Sequence, residues 1–333
     1  MDALSDVLRA VRLSGAFFFD VHACAPWVAE TPLGKSVVDA MFPGSDHLIS
    51  YHAILEGTCW CTLEGEEPIK LSAGDIIVLP QGDTHVLTTE VGMRKSPEMS
   101  LYRMPENGRL PSRISVGTEG GAPAHFVCGF LGCDSRPYNP LLTALPRVIR
   151  ISDHASGALG AYFRAALAES KGRMGGECML GRISELMFVD VVRRYLETLP
   201  EGRTTWLSGL RDPYVGRALT ALHEDPSRDW TLETLAHEAA LSRSAFAERF
   251  AEYVGQPPMQ YLTNWRMQLA TNYLRNGTES IASVANRIGY DSEAAFSRAF
   301  KKAVGVPPSE WRARHAHGPA GETHVMERRA VDA

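Results

Sequence analysis

Along the first 135 or so residues, apolar side chains fall in short β-branched and aromatic runs broken by Gly, Pro and Asp. That is the pattern of strands and tight turns. The spacing predicts strands at 47–55, 58–64, 68–71, 75–79, 84–89 and 124–131. Many short strands at such close intervals point to a sandwich or small barrel. Past Pro146 the period changes to the helical one, with helices predicted over 158–170 and 178–199, where Ile183, Leu186, Met187, Val191 and Leu196 share a face. Pro200–Asp212 reads as a linker, and Pro213 to about Arg314 as almost wholly helical. The predicted architecture is an α+β multidomain chain. It has a β-barrel-like domain at 1–140, a helical connector and linker at 141–211, an all-α domain at 212–314 and a flexible polar tail at 315–333.

The helical part repeats itself at an offset of 50 residues. AFAERFAEYVGQPPMQY from Ala245 aligns with AFSRAFKKAVGVPPSEW from Ala295, matching Phe246 to Phe296, Phe250 to Phe300, Gly255 to Gly305 and Tyr261 to Trp311. A repeated segment means a repeated supersecondary unit. In the first copy Thr231 can cap a helix bearing Leu232, Leu235 and Ala239, with Glu233 in its first turn. Ser242 can cap a second helix whose Phe246 and Phe250 stand at i and i+4. Gly255 supplies a left-handed stop and Pro257 restarts the chain. In the second copy Ile281, Val284, Ala285 and Ile288 form the stripe and Gly289 the turn, which is one residue longer, so the upstream offset is 49. Two short helices around a tight turn match helix-turn-helix. A connecting helix of about 18 residues spans about 27 Å, a length suited to placing two recognition helices in successive major grooves about 34 Å apart.

Composition narrows the field less than pattern does. The chain has 333 residues, 44% hydrophobic and 22% charged, an ordinary globular mixture. Without a run of 18 apolar residues no membrane span is expected, and the acidic start MDALSDVL lacks the features of a signal peptide, so a cytoplasmic location is expected. Six cysteines in so long a chain do not make a disulfide scaffold. The formal net charge of -5 does not favour nucleic acid. The charge is uneven, however: residues 212–256 carry four basic and eight acidic side chains, and 257–314 carry eight basic and four acidic. The second unit is therefore expected to supply more of the salt-dependent grip on DNA.

SIASVANRIGYDSEAAFSRAFKKAVGVPPSEWR, from Ser280 to Arg312, resembles the signature of the AraC/XylS family of bacterial transcription regulators. The resemblance covers about 213–314 and implies recognition helices at about 242–253 and 292–303. With the phenylalanines buried, Arg243, Ser244, Ala247 and Glu248 point outward from the first, and Ser292, Glu293, Ser297, Arg298 and Lys301 from the second. Arg298 suits a bidentate guanine contact. Ser244 and Ser297 suit bases or phosphate, and Lys301, Lys302, Arg266 and Arg312 suit phosphate. The resemblance implies double-stranded promoter DNA and RNA polymerase as partners and a homodimer, for which the face of Leu186, Met187, Phe188 and Val191 is one candidate; packing onto the chain's own β domain is the other.

Gly74–His85 reads G-x5-P-x-G-x2-H and resembles the second motif of cupins, small double-stranded β-barrels, while Leu55-Glu56-Gly57 resembles the hairpin after their first. The usual first-motif ligands are missing, which argues against the rival reading of a metal-dependent cupin enzyme with an accessory helical domain. His52 and His85 remain, and with Cys59 or Cys61 they could hold a metal ion in the barrel by ligand type; hydrogen-bonded interior residues or the lining of a small-molecule pocket are the alternatives. MDALSDVL, Trp60, Val127-Cys128-Gly129 and Leu141-Leu142 resemble a subgroup of these regulators with a cupin sensor, some of which respond to reactive chlorine species or other electrophiles through cysteines. This implies a small-molecule or oxidant signal, with Cys24, in the loop-like VHACAPW, and Cys128 as sensor thiols and Cys133 as another partner. Cys128 reads equally as a buried strand residue. No catalytic residues are expected.

Overall fold

The computed structural model describes residues 2–11, 13–42, 44–102, 110–152, 158–169, 174–200 and 202–315. The tail expected to be flexible lies, apart from His315, outside them. In chain order the elements are α1 (Ala3–Ala10), β1 (Ser14–Cys24), β2 (Val28–Glu30), α2 (Gly34–Met41), β3 (His47–Glu56), β4 (Thr58–Leu63), β5 (Ile69–Ser72), β6 (Asp75–Leu79), β7 (His85–Thr88), β8 (Ser112–Gly117) and β9 (Pro123–Cys133). Then come α3 (Pro140–Ala144), β10 (Ile149–Ser152), α4 (Ala158–Glu169), α5 (Gly176–Thr198), α6 (Trp206–Arg211), α7 (Val215–Glu224), α8 (Leu232–Glu238), α9 (Arg243–Val254), α10 (Pro258–Asn276), α11 (Ile281–Arg287), α12 (Glu293–Val304) and α13 (Pro308–His315).

The strands form two sheets, ordered β10-β6-β3-β9-β1-β8 and β2-β7-β4-β5. They face one another without closing into a hydrogen-bonded barrel, which corrects the barrel expectation to a two-sheet sandwich. Alternation explains the packing: on β4, Cys59, Cys61 and Leu63 are buried while the residues between them are not. Trp27 stacks on Phe126 with centroids 5.1 Å apart. The connector expected from 141 starts in α3 and then adds a further strand, β10, which pairs with β6. Helices α4 and α5 lie against β3: Tyr51 Oη is 3.1 Å from Ser184 Oγ, and the Tyr51 and Phe163 rings are 6.0 Å apart. Met187, Phe188 and Val191 are buried in this core and only Leu186 of that face is exposed, so most of the face suggested for a dimer is covered by the chain itself.

The stretch expected to be a linker holds α6. Its Gly, Thr and Ser content hid a short helix, started by a capping box in which the Thr205 side chain accepts from Ser208 N and the Ser208 side chain from Thr205 N. Trp206 and Leu207 are then buried. One apolar core runs from the sheets through α6–α9 to Tyr261, Leu262 and Trp265 in the first half of α10. A separate, smaller core holds Met267, Ala270 and Leu274 from the second half of α10 with Val284, Ile288, Phe296, Phe300 and Trp311.

Candidate nucleic-acid interface and sensor interior

The repeated sequence becomes repeated geometry. Helices α9 and α12 begin 50 residues apart. Ser242 Oγ accepts from Ala245 N at 3.3 Å, and Ser292 Oγ accepts from Ala295 N at 3.2 Å. In each unit the phenylalanine pair meets at 5.5 Å and 62°. Gly255 and Gly305 end the two helices at φ 76° and 91°. The restart differs by one position from expectation: Pro258 is the first helical residue and Pro257 its cap. Thr231 caps α8 as expected, with Thr234 rather than Glu233 as reciprocal partner. Both turns carry the same bonds. Ala240 N donates to His237 O and Leu241 N to Ala236 O, each at 3.0 Å; Gly289 N donates to Asn286 O and Tyr290 N to Ala285 O, each at 3.0 Å. Ala240, at φ 53°, is the one non-glycine with positive φ among the described residues and stands where the second unit has Gly289.

Burial separates the outward faces. Arg243, Ser244 and Glu248 on α9 are exposed and Ala247 half-buried; Ser292, Glu293, Arg298, Lys301 and Lys302 at α12 are exposed and Ser297 half-buried. Arg249, the other arginine of α9, is paired with Asp212 and lies over the Tyr214 and Tyr253 rings. Arg243 is thus the exposed cation of α9, whereas α12 presents Arg298, Lys301 and Lys302. Among the described residues none of these four has an ion-pair partner. Arg266, expected to be free for phosphate, is held inside the domain: Nε donates to Pro226 O at 2.7 Å and Nη2 to Arg228 O at 2.9 Å, and the guanidinium faces the Tyr290 ring. It ties the α7–α8 loop of the first unit to the turn of the second. Arg312 is half-buried.

Between the sheets, His52, His85 and Cys128 come together. His85 Nδ1 lies 2.8 Å from Asp83 O, to which it must donate, so its Nε2 accepts. Thr31 Oγ1 at 3.0 Å and His52 Nε2 at 2.6 Å approach that nitrogen. His52 then donates through Nε2 and accepts through Nδ1, where the Cys128 thiol donates at 2.7 Å. The result is a continuous relay of neutral groups. Burial pushes the Cys128 thiol well above its ordinary range. Burial, and for His52 also His85, holds both imidazoles below theirs, His85 at about 4. Cys59 and Cys61 are buried on β4, their thiols pushed up to about 12 by desolvation, with Asp75 adding to the first and Cys59 to the second. The metal suggested by the cupin motif does not fit this arrangement: among the described residues no three ligand atoms that include the two imidazoles lie within 4.8 Å of one another.

The other sensor thiols lie apart. Cys24, half-buried at the end of β1 rather than in a loop, pairs with Pro123, whereas Cys128 pairs with Phe19. Five strand residues separate the two positions by about 16 Å, and a disulfide needs Cα atoms within about 7 Å. Cys133 pairs with His47 at the other end of β9, five residues from Cys128. The expected joining of Cys24 to Cys128, or of either to Cys133, is therefore not available in this fold without moving strands.

The sensor touches the reader along α10. Arg275 makes an ion pair with Asp134, both side chains more than nine-tenths buried. Asn272 Nδ2 donates to Ala10 O at 2.9 Å, Gln268 Oε1 accepts from Tyr138 N at 3.2 Å, and Gln256 Nε2 donates to Tyr138 Oη at 2.6 Å. None of these contacts was foreseen, because each joins residues more than 100 positions apart.

Two family models match the chain: a cupin model over residues 2–197 and a helix-turn-helix domain model over 235–314. The chain is 32% identical to an AraC-like transcription regulator of Streptomyces lividans over 94% of this chain and 98% of that one. It is 27% identical, over 94% and 98%, to the RCS-specific HTH-type transcriptional activator RclR of Escherichia coli. Among solved structures, the DNA-binding domain of AdpA in complex with a target DNA is 32% identical over 33% of this chain and 99% of that one, with a TM-score of 0.31. The fold and the paired units thus define a DNA-binding transcription regulator. The chain belongs to the AraC-like family, with a cupin-type domain at its N-terminus.

Proposed function

We propose that α9 and α12 read adjacent major-groove segments of promoter DNA, and that an electrophilic oxidant at Cys128 changes how the reader is held. The observation that carries the DNA half is the pair of matched helices whose outward faces bear unpaired cations, joined by the 19-residue α10, about 28 Å long. In this reading Arg298 contacts a base, and Lys301 and Lys302 contact phosphate. Glu248, Glu293 and the serines of both faces refine base choice. The sensor half is supported by the Cys128–His52–His85 relay, which gives the thiol proton an acceptor when its sulfur attacks an oxidant; burial keeps the thiol protonated at rest, so the attack follows an opening that admits the oxidant. The protein acts in the cytoplasm, beside RNA polymerase. Among the described residues no helix is long and apolar enough to cross a membrane.

Coupling runs through the buried Arg275–Asp134 pair: a shift of β9 moves Asp134 at its end, and with it α10. The test measures affinity of the full chain for promoter fragments of its own genome, with and without oxidant. Wild type is expected to change affinity on oxidation. Cys128→Ser should bind DNA without responding, and Arg275→Met should respond weakly. A full response in Cys128→Ser would overturn the oxidant reading while leaving DNA recognition intact.

A further inference from the structure

The strand register gathers three side chains for which transcription control has no use. Asp20 and His22 stand two residues apart on β1 and so project from one face. His125 of β9 sits directly opposite His22. This face is turned away from the Cys128 interior, because Cys128 pairs with Phe19, on the alternate face of β1. The two imidazoles are stacked, with centroids 4.3 Å apart and planes at 14°. Both present Nε2 to the carboxylate: His125 Nε2 lies 2.6 Å from Oδ1 and His22 Nε2 3.3 Å from Oδ2. One ligand atom from each residue lies within 4.8 Å of the other two. The side chains are 18–36% exposed, so the group is sheltered yet reachable from solvent.

Two imidazole nitrogens and one carboxylate oxygen are a donor set of zinc sites, with water free to take a fourth position. Ligand atoms around a tetrahedral ion with bonds of about 2.0–2.1 Å lie about 3.3 Å apart, the spacing of His22 and Asp20, while His125 and Asp20 must part from their 2.6 Å hydrogen bond to admit the ion. Partial burial works against the charge of Asp20, but the bond from His125 and the nearness of the His22 ring hold its carboxyl below the usual range, so it is an anion at neutral pH. Arg113, on the neighbouring strand β8, places Nη2 2.9 Å from His22 Nε2. A guanidinium only donates, so this nitrogen of His22 carries a lone pair, now accepting from Arg113, that an ion can take in its place. We infer that Asp20, His22 and His125 form a binding site for a divalent transition metal of the zinc type, from which an arriving ion displaces Arg113. The ion takes the Nε2 lone pair of both histidines, and the proton that His125 now donates to Asp20 moves to its own Nδ1, so that both rings bind as neutral imidazoles.

The competing account is a hydrogen-bonded ladder that ties β1 to β9 and binds nothing. The full chain, stripped with a chelator, is titrated with Zn2+ against a chromophoric competitor, and each variant is compared with wild type so that binding by other histidines cancels. Asp20→Asn and His125→Gln should each weaken one site at least about tenfold, the lower end of the loss on removing even an outer-shell partner. Zn2+ should raise the unfolding midpoint of wild type but not of these variants. Arg113→Ala, which removes a competing cation, should bind as tightly or more tightly, and Cys24→Ser, on the same face one pleat away, should bind unchanged. Equal zinc binding by wild type, Asp20→Asn and His125→Gln overturns the inference. Should both ligand variants fail to fold by circular dichroism, Arg113→Ala decides: tighter binding upholds the site, and binding weakened tenfold overturns it.

Discussion

Phe250 and Phe300 make the same edge-to-face contact in their respective units, yet they close different cores. Phe250 belongs to the large core that the first helix-turn-helix unit shares with the sensor. Phe300 belongs to the small core of the second unit alone. The surroundings differ as well. The first unit is acidic and its inner arginine, Arg249, is paired with Asp212, whereas the second is basic and leaves three cations of its recognition helix exposed. A duplicated motif has thus been divided by context: the unit fused to the sensor takes its orientation from the sensor, and the unit with its own core carries most of the charge. Helix α10 belongs to both, since its first half packs in one core and its second half in the other.

The largest effect should come from those cores. Phe250→Ala and Phe300→Ala should each cost about 3–5 kcal/mol. Phe250→Ala should lower the stability of sensor and first unit together, and Phe300→Ala should open only the second unit, as hydrogen exchange would resolve. Exchange that rises in the sensor for both variants would erase the distinction.

Next come the turns. A Cβ on Gly289 would lie 2.3 Å from the backbone oxygen of Ser227, at a φ of 81°. Gly289→Ala should cost about 2–3 kcal/mol, strain and collision together, and should weaken DNA binding by tilting the second unit against the first. The reciprocal Ala240→Gly should stabilise by about 0.5–1 kcal/mol, because a left-handed residue loses its Cβ penalty. Chemical denaturation of both variants checks the pair.

Arg298→Ala should cost about 1–3 kcal/mol in discrimination at one base pair. Lys301→Ala with Lys302→Ala should lower the salt dependence of binding more than Arg243→Ala does, because these are the cations assigned to phosphate. Equal slopes would break the charge asymmetry.

The most gradual effect concerns pH. His52, His85 and His223 are held neutral mainly by burial, His85 at about 4 and His223 at about 3. Among the described residues the histidines so held lie in the β domain and the first unit. The unfolded chain takes up protons near pH 6.5 that the folded chain refuses. Stability is therefore full above pH 6.5 and falls as pH drops towards 4, each of the three histidines contributing up to about 1.4 kcal/mol per pH unit. Hydrogen exchange at pH 7.5 and 5 should show the sensor and first unit loosening before the second.

The sequence made the second unit and its twin legible because every signal there is local: Phe at i and i+4, Ser at the caps, Gly at the stops, Pro at the restart. Strands β3–β7 and β9 were legible for the same reason, within a residue or two at each end. What escaped depends on partners far along the chain. Helix α6 is short and polar in composition, and burial of Trp206 against the reader is what defines it. Arg266 looked free until the α7–α8 loop met it. His22 was not legible as a partner of His125 before the register of β1 and β9 was known, and the same register separates Cys24 from Cys128.

The central claim, that the two units read DNA as one bipartite instrument, is tested most directly by selecting bound sequences from a random pool with the full chain. The account predicts two short enriched blocks whose centres lie about 10–10.5 base pairs apart on one face of the duplex. The block read by α12 should degrade in Arg298→Ala, and the block read by α9 in Arg243→Ala. A single enriched block, or two blocks at no fixed spacing, would contradict it.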